Sequence, residues 1–251
     1  MINKPQLFNA YSRYYDLLYR DKNYTGEVDY IQALLNRSGI IKGDLLEFGS
    51  GTGKHGRLLA QRGYDVLGIE LSQDMVAKAD QIDGFKCEQG DILYVQLGRT
   101  YDAVLSLFHV VSYMTSNANV NAVLARAAEH LKVGGLFIFD VWYSPAVYIQ
   151  RPVVRVKRMS DELVEITRIA EPELYPNENR VDVNYTIYAR DLASEVIQSL
   201  SETHPMRHFS LPEIDLLAEL NGFERICAEE FLTGKPAGED TWGVCVILKK
   251  V

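Results

Sequence analysis

A short apolar run, Leu45 to Phe48, ends among the glycines of E-F-G-S-G-T-G, Glu47 to Gly53. Gly49, Gly51 and Gly53 remove the β-carbons that would obstruct a tight turn and a close backbone approach to a ligand. Such loops occur in nucleotide sites of several kinds, so the acids that follow carry more information. Glu70 ends the next strand-like run, Asp65 to Glu70, where a carboxylate can accept hydrogen bonds from both hydroxyls of a ribose. Asp91, in Q-G-D-I after a third run, is placed to receive an adenine amino group. The spacing G-x-G-x-G separates two cofactor classes. Dinucleotide sites favour G-x-G-x-x-G, which leaves a helix N-terminus free for pyrophosphate. Glu47 beside the loop would repel a pyrophosphate, yet it suits the cationic amino and sulfonium groups of S-adenosylmethionine. The plainer alternatives are a turn without a ligand, a solvated strand end for Glu70 and a helix cap for Asp91.

Methyl transfer from a sulfonium is an in-line displacement, so the protein's main task is to align two reactants and exclude water. An amine acceptor must arrive neutral but needs little from a base during the step, whereas a hydroxyl needs a general base within reach. His109, in L-F-H-V-V after the fourth strand, is the candidate base, because that strand end faces the ligand crevice of an open α/β sheet. A histidine bonded only to backbone or cofactor is the alternative. Asp140 is a candidate to orient an amine or accept its proton, or else to cap its strand end. No second residue is evident to orient His109, so with an amine acceptor turnover should depend little on it. His55 is expected to pack or touch the glycine loop. His204 and His208 flank Pro205 and read as surface-loop histidines. Tyr11, Tyr14, Tyr15, Tyr19 and Tyr24 suggest a lid or helix packing; Tyr143, Tyr148, Tyr185 and Tyr188 suggest a sugar-sized pocket or an inserted core. No clustering of Cys and His resembles a metal site.

The elements that must position these residues alternate. Residues 8–36 read as helical, followed by strands at Leu45 to Phe48, Asp65 to Glu70, Phe85 to Gln89, Ala103 to Phe108 and Leu136 to Asp140. Between them lie helices from Lys54 to Gln61, from a Ser72 cap to about Ile82, and through Val120 to Leu131, ended by Gly134 and Gly135. This order implies a mostly parallel sheet with helices on both faces. Val153 to Ile169, Val181 to Ala189 and Val196 to Thr203 then read as strands of an antiparallel insertion, with E-P-E-L-Y-P-N-E-N as a turn-rich connection. Val181, Val183, Tyr185 and Ile187 share one face of theirs. Pro212 to Gly222 restores a helix, and Phe223 to Leu232 and Val244 to Lys249 close the sheet.

The 251 residues are 47% hydrophobic and 24% charged, enough for one sizeable α/β domain with a small insertion. No run approaches the ~20 apolar residues that span a bilayer, and Met1 to Tyr15 lacks the order of a signal peptide. Three widely spaced cysteines suggest free thiols in a reducing compartment, with the cytoplasm as the default. A net charge of −8 argues against a nucleic-acid partner. The densest basic run, Arg151, Arg155, Lys157 and Arg158, reads as a solvated strand or a contact with an anionic part of a small substrate.

The segments E-F-G-S-G-T-G, G-I-E-L-S-Q-D-M, Q-G-D-I and L-K-V-G-G-L-F-I-F-D resemble, in order, the motifs of Rossmann-like S-adenosylmethionine-dependent methyltransferases. Y-Y-D-L-L-Y, G-T-G-K-H, S-L-F-H-V-V-S-Y and D-V-W-Y-S-P extend the resemblance, over nearly the whole chain, to bacterial nucleotide-linked amino-sugar N-methyltransferases. The resemblance implies that Tyr15 and Tyr24 close over the cofactor and Gly49 contacts it. It also implies that Glu70, with Leu71 and Met75 of the same motif, holds the ribose side. Asp91 and Ile92 would flank adenine, Leu107 would meet the cofactor, and Asp140, Trp142 and Tyr143 would face the acceptor. Asp140 stands where a glutamate is common, and D-T-W-G replaces a C-terminal turn containing glycine and arginine. The implied organisation is a helical lid (1–43), a Rossmann-like core (44–149), an antiparallel insertion serving the substrate pocket or a homodimer contact (150–208), and closing elements (209–251). The expected activity is methylation of a small acceptor, an activated amino sugar first. Alternatives are a sugar hydroxyl or another small metabolite, and, from another class, a non-catalytic cofactor-binding or assembly protein. A dinucleotide oxidoreductase is disfavoured by the glycine spacing.

Overall fold

The computed structural model describes residues 12–251, with side chains from Tyr14 onward. Tyr11 and the start of the expected first helix lie outside the described residues. The apolar runs become five parallel strands: β1 (Asp44–Phe48), β2 (Asp65–Glu70), β3 (Phe85–Gln89), β4 (Tyr101–Ser106) and β5 (Leu131–Tyr143). Their order is β3-β2-β1-β4-β5. The chain builds outward from β1 and then returns to its other side, which creates a switch point between β1 and β4. Alternate residues serve opposite faces: Leu46 and Phe48 pack into one hydrophobic layer, Leu45 into the other.

Helices α1 (Ser12–Leu18) and α2 (Tyr24–Arg37) precede the sheet, and α3 (Lys54–Ala60), α4 (Gln73–Lys78), α5 (Asn117–Glu129) and α6 (Ser144–Gln150) follow β1, β2, β4 and β5. Val28, Ile31, Leu34 and Leu35 fall at helical spacing and are all buried, each contributing about 1.5–3 kcal/mol of transfer free energy. Strands β6 (Arg155–Ser160), β7 (Val164–Tyr175), β8 (Arg180–Asp191) and β9 (Ile197–Phe209) form an antiparallel meander. It joins the core where Trp142 and Tyr143 of β5 pair with His208 and Phe209. After α7 (Leu211–Leu220), β10 (Phe223–Glu230) pairs with β11 (Gly243–Lys250), which runs antiparallel to β5.

Several boundaries differ from the sequence reading. The single helix over 8–36 is interrupted at residues 19–23, because the Asn23 side chain accepts from Gly26 N at 2.9 Å and starts a new helix. Val153 to Ile169 is a hairpin rather than one strand, turned by Asp161, whose Oδ1 accepts from Leu163 and Val164. Strand β7 continues through Pro172 to Tyr175, so only residues 176–179 of the turn-rich stretch are a turn. Proline is tolerated there because pairing with β6 stops at Ala170, which leaves β7 an edge beyond it. Strand β5 begins at Leu131, before the glycines expected to open it, and α4 ends short of Ile82, which bridges to Phe85. Helix α6 has no counterpart in the sequence reading.

Candidate functional site

The three loop glycines divide their work. A β-carbon on Gly53 (φ +74°) would lie 2.6 Å from the Phe85 ring, and one on Gly49 would lie 2.6 Å from Val110. Gly51 (φ +56°) has open space beside it and is the glycine whose missing side chain leaves room for a ligand. Gly53→Ala is expected to destabilise the fold by about 1–3 kcal/mol through clash and backbone strain. Thermal unfolding measures this, and Phe85→Leu should restore part of the loss.

Around the loop the acids differ in kind. Glu70 is buried, its Oε2 accepting from Gly51 N at 2.9 Å and its Oε1 from Ser72 N at 2.8 Å. Burial raises its carboxyl, and these backbone N–H groups offset only part of the rise. Each oxygen keeps a further lone pair for a ribose hydroxyl. Glu47 shares the face of Leu45 and lies beneath the loop, 1% exposed. Ser50 Oγ donates to it at 3.0 Å and His55 Nδ1 is 3.7 Å away, so it braces the turn instead of lining the crevice. Its carboxyl is raised by burial, with His55 opposing. Asp91 Oδ1 accepts from Leu93 N at 2.9 Å and caps the turn after β3, so the cap alternative holds for one of its two oxygens. Ile92 is buried beside it and Leu71 is exposed. Met75 and Leu107 are buried in the core, 3% and 2% exposed, and offer little surface to a ligand.

The N-terminal elements stand over this loop. Asp16 accepts from Thr52 Oγ1 at 3.2 Å and pairs with Lys54 Nζ at 2.8 Å. The Tyr24 ring lies 5.0 Å from that of His55, and the Tyr15 ring lies 4.8 Å from that of Tyr19, tilted by 51°. His55 Nε2 is 2.6 Å from Glu27, which also binds Lys22. Burial raises the Tyr24 phenol, reinforced by the Glu27 charge.

On the acceptor side the structure joins two residues that were read apart. His109 Nδ1 lies 2.7 Å from Asp140 Oδ2, and the His109 backbone N–H reaches both carboxylate oxygens at 3.2 Å. Asp140 therefore stands beside His109 in a place that the sequence did not reveal. Burial alone would raise the Asp140 carboxyl, but the charge and hydrogen bonds of His109 outweigh it and hold it below the usual carboxylate range. Phe108 and His109 both adopt positive φ, +66° and +61°, a conformation that non-glycine residues hold only when their surroundings impose it. Trp142 lies 6.2 Å from the imidazole and 5.9 Å from Trp242. Tyr143 N donates to Trp242 O at 3.0 Å, so D-T-W-G borders the same corner.

His204 and His208 are not surface-loop residues; they lie in β9, 3% and 0% exposed. Pro205 is accommodated because β9 has a strand partner on one side only at that point. His204 Nδ1 meets Tyr113 OH at 2.9 Å and its Nε2 meets Glu202 at 3.2 Å. Tyr185 and Arg168 share that inner face. His208 Nδ1 meets Ser144 Oγ at 2.8 Å, and burial together with Arg207 lowers it to about 4. Lys22 and Glu27 escaped the sequence reading, since single residues far apart in the chain give no spacing signal; Phe108 and Tyr113 fell inside the quoted S-L-F-H-V-V-S-Y segment without being singled out.

The donor set fits S-adenosylmethionine: an open glycine, a buried carboxylate whose free lone pairs suit ribose hydroxyls, and aromatic rings at the switch point for a cation. Residues 45–135 match the methyltransferase domain family. The chain is 28% identical over 231 residues to the dTDP-3-amino-3,4,6-trideoxy-alpha-D-glucopyranose N,N-dimethyltransferase of Streptomyces venezuelae, covering 89% of this chain and 92% of the relative. It is 27% identical to the dTDP-3-amino-3,6-dideoxy-alpha-D-glucopyranose N,N-dimethyltransferase of Streptomyces fradiae, covering 89% and 86%. Among solved structures, an S-adenosylmethionine-dependent methyltransferase from Clostridium acetobutylicum superposes with TM-score 0.80 at 19% identity, covering 97% and 98%. An amino pentose methyltransferase from Micromonospora echinaspora, solved with S-adenosylmethionine bound, gives 0.76 at 24% identity, with the same coverage. The fold is the Rossmann-like methyltransferase fold with an antiparallel insertion. The chain is an S-adenosylmethionine-dependent methyltransferase.

Proposed function

We propose that the protein methylates the amine of a nucleotide-linked amino sugar. The observation that carries this reading is the similarity, over 89% of the chain, to two dTDP-amino-sugar N,N-dimethyltransferases; the His109–Asp140 pair at the end of β4, beside Trp142, supplies a base for it. The cofactor supplies an electrophilic sulfonium methyl and a neutral thioether leaving group. As the acceptor nitrogen bonds the methyl it must shed a proton; Nε2 of His109 takes it, and Asp140 stabilises the imidazolium that results. Gly51, Glu70, Asp91 and Ile92 hold the cofactor, and Tyr15 and Tyr24 cover it. Trp142 and Tyr143 flank the acceptor, with Tyr185, His204 and Glu202 of the insertion offering aromatic and polar groups to a sugar. The Streptomyces relatives carry the name N,N-dimethyltransferase, which supports two successive transfers. A sugar hydroxyl is the second reading, favoured by the same pair because a hydroxyl needs a base. The insertion, residues 150–208, serves the substrate pocket or a homodimer contact, and the free cysteines support a reducing, cytoplasmic compartment. Among the described residues no helix is long and apolar enough to cross a membrane.

The test incubates the protein with methyl-labelled S-adenosylmethionine and a panel of nucleotide-linked amino and hydroxy sugars. Label is expected on the amino sugars, with a dimethylated end product. Label confined to hydroxy sugars establishes the second reading, and cofactor binding without label on any acceptor supports a non-catalytic role.

A further inference from the structure

Lys22 lies in the loop between α1 and α2, where its amide donates to Tyr19 O at 3.0 Å. Its ammonium is 4.5 Å from the centroid of the Tyr24 ring and 4.4 Å from that of Phe108, and it pairs with Glu27. The side chain is 11% exposed. The two rings come from opposite sides of the switch point. Tyr24 begins α2 and stands over the start of α3, with Lys54 Nζ 5.1 Å from its centroid. Phe108 follows β4, held in its left-handed conformation beside the His109–Asp140 pair. Lys22 also contributes to holding the Asp140 carboxyl down, so its charge is felt at the acceptor corner.

Two aromatic faces backed by a carboxylate form a receptor for a cation. The crevice of an open α/β sheet lies at the switch point, which is where this receptor stands. S-adenosylmethionine brings a cation of its own. Its amino and carboxylate groups offset one another, which leaves the sulfonium as its uncompensated charge. An ammonium and a sulfonium repel each other and cannot share one cradle. We infer that Lys22 is a positioning residue that competes with the cofactor's sulfonium for the cradle of Tyr24, Phe108 and Glu27. The sulfonium displaces the ammonium on binding. The product, whose sulfur is a neutral thioether, lets it stay. Lys22 thus lowers affinity for the cofactor relative to its product.

The experiment is calorimetric titration of S-adenosylmethionine and S-adenosylhomocysteine into the wild type, Lys22→Met and Lys22→Arg. Lys22→Met is expected to tighten the sulfonium about tenfold and the thioether less than about twofold, while Lys22→Arg keeps the wild-type ratio. An equal change for both ligands, or weaker sulfonium binding, overturns the inference. Lys22→Met leaves Glu27 buried without its cation, so Lys22→Met with Glu27→Gln is titrated alongside. A second readout uses the folded wild type, with Lys22→Met serving for assignment: the Lys22 ε-methylene in a proton–carbon correlation spectrum. Ring currents should shift it upfield in the free and thioether-bound protein, and the shift should vanish with the sulfonium. An upfield signal that persists with S-adenosylmethionine bound refutes displacement.

Discussion

His109→Ala is expected to lower turnover by about 10²–10⁴ while cofactor affinity stays within about twofold, the usual worth of a positioned base. The sequence alone pointed the other way for an amine acceptor, because nothing oriented the imidazole. With Asp140 Oδ2 at 2.7 Å from Nδ1, a proton on Nδ1 is electrostatically favoured, which leaves Nε2 to receive one from the acceptor. Asp140→Asn should reproduce much of the loss without displacing the ring. The Asp140 carboxyl is held below the usual range, so it remains ionised across the working pH. Its stabilising pairing is present above the unfolded-state pKa and is lost only as pH falls through the lowered folded value. An acid limb in the pH–rate profile therefore does not arise from Asp140. A loss below about tenfold in His109→Ala, measured on the acceptor that the panel identifies, would mean that alignment alone carries the reaction.

Glu70→Ala is expected to weaken S-adenosylmethionine binding at least tenfold, since hydrogen bonds to a charged acceptor are worth about 1.5–3 kcal/mol each before relaxation. Glu70→Gln should lie between, because an amide oxygen accepts but carries no charge. Ribose hydroxyls bind an ionised carboxylate more strongly than a neutral one, so protonating Glu70 should weaken the interaction. Burial raises this carboxyl; affinity should therefore fall on acidification from a higher pH than an ordinary glutamate would give. That pH dependence should disappear in Glu70→Gln. Calorimetry across pH tests both statements, and an unchanged dissociation constant in Glu70→Ala removes Glu70 from the site.

Local pattern announced the cofactor half of the molecule. Strand, glycine turn and helix are contiguous, and the acid ending β2 follows its strand directly. Residues 44–140 thus carry their own spacing signal. The insertion was legible as alternation, and Val181, Val183 and Ile187 are buried as that alternation requires. Its hairpin at Asp161 was not, because alternation continues on both sides of a tight turn. Two prolines misled in the same direction. Pro172 and Pro205 read as loop markers, but each sits where its strand lacks a neighbour on one side, a property of the assembled sheet.

The sequence by itself determined the fold class, the glycine loop and the cofactor, because these depend on residues close together in the chain and on backbone periodicity. The tertiary structure decided which groups act together. His109 and Asp140 meet because β4 and β5 are adjacent and parallel, which brings their C-terminal ends to one corner. It also decided direction. Glu47 belongs to the signature motif, yet strand alternation turns it beneath the loop toward His55 and Ser50. Lys22, unremarkable in the sequence, gains its surroundings from Tyr24 and Phe108, which only the return of the chain to β4 brings together. Side-chain chemistry can be read from residue type; distance between side chains far apart in the chain is set by the packing of strands and helices.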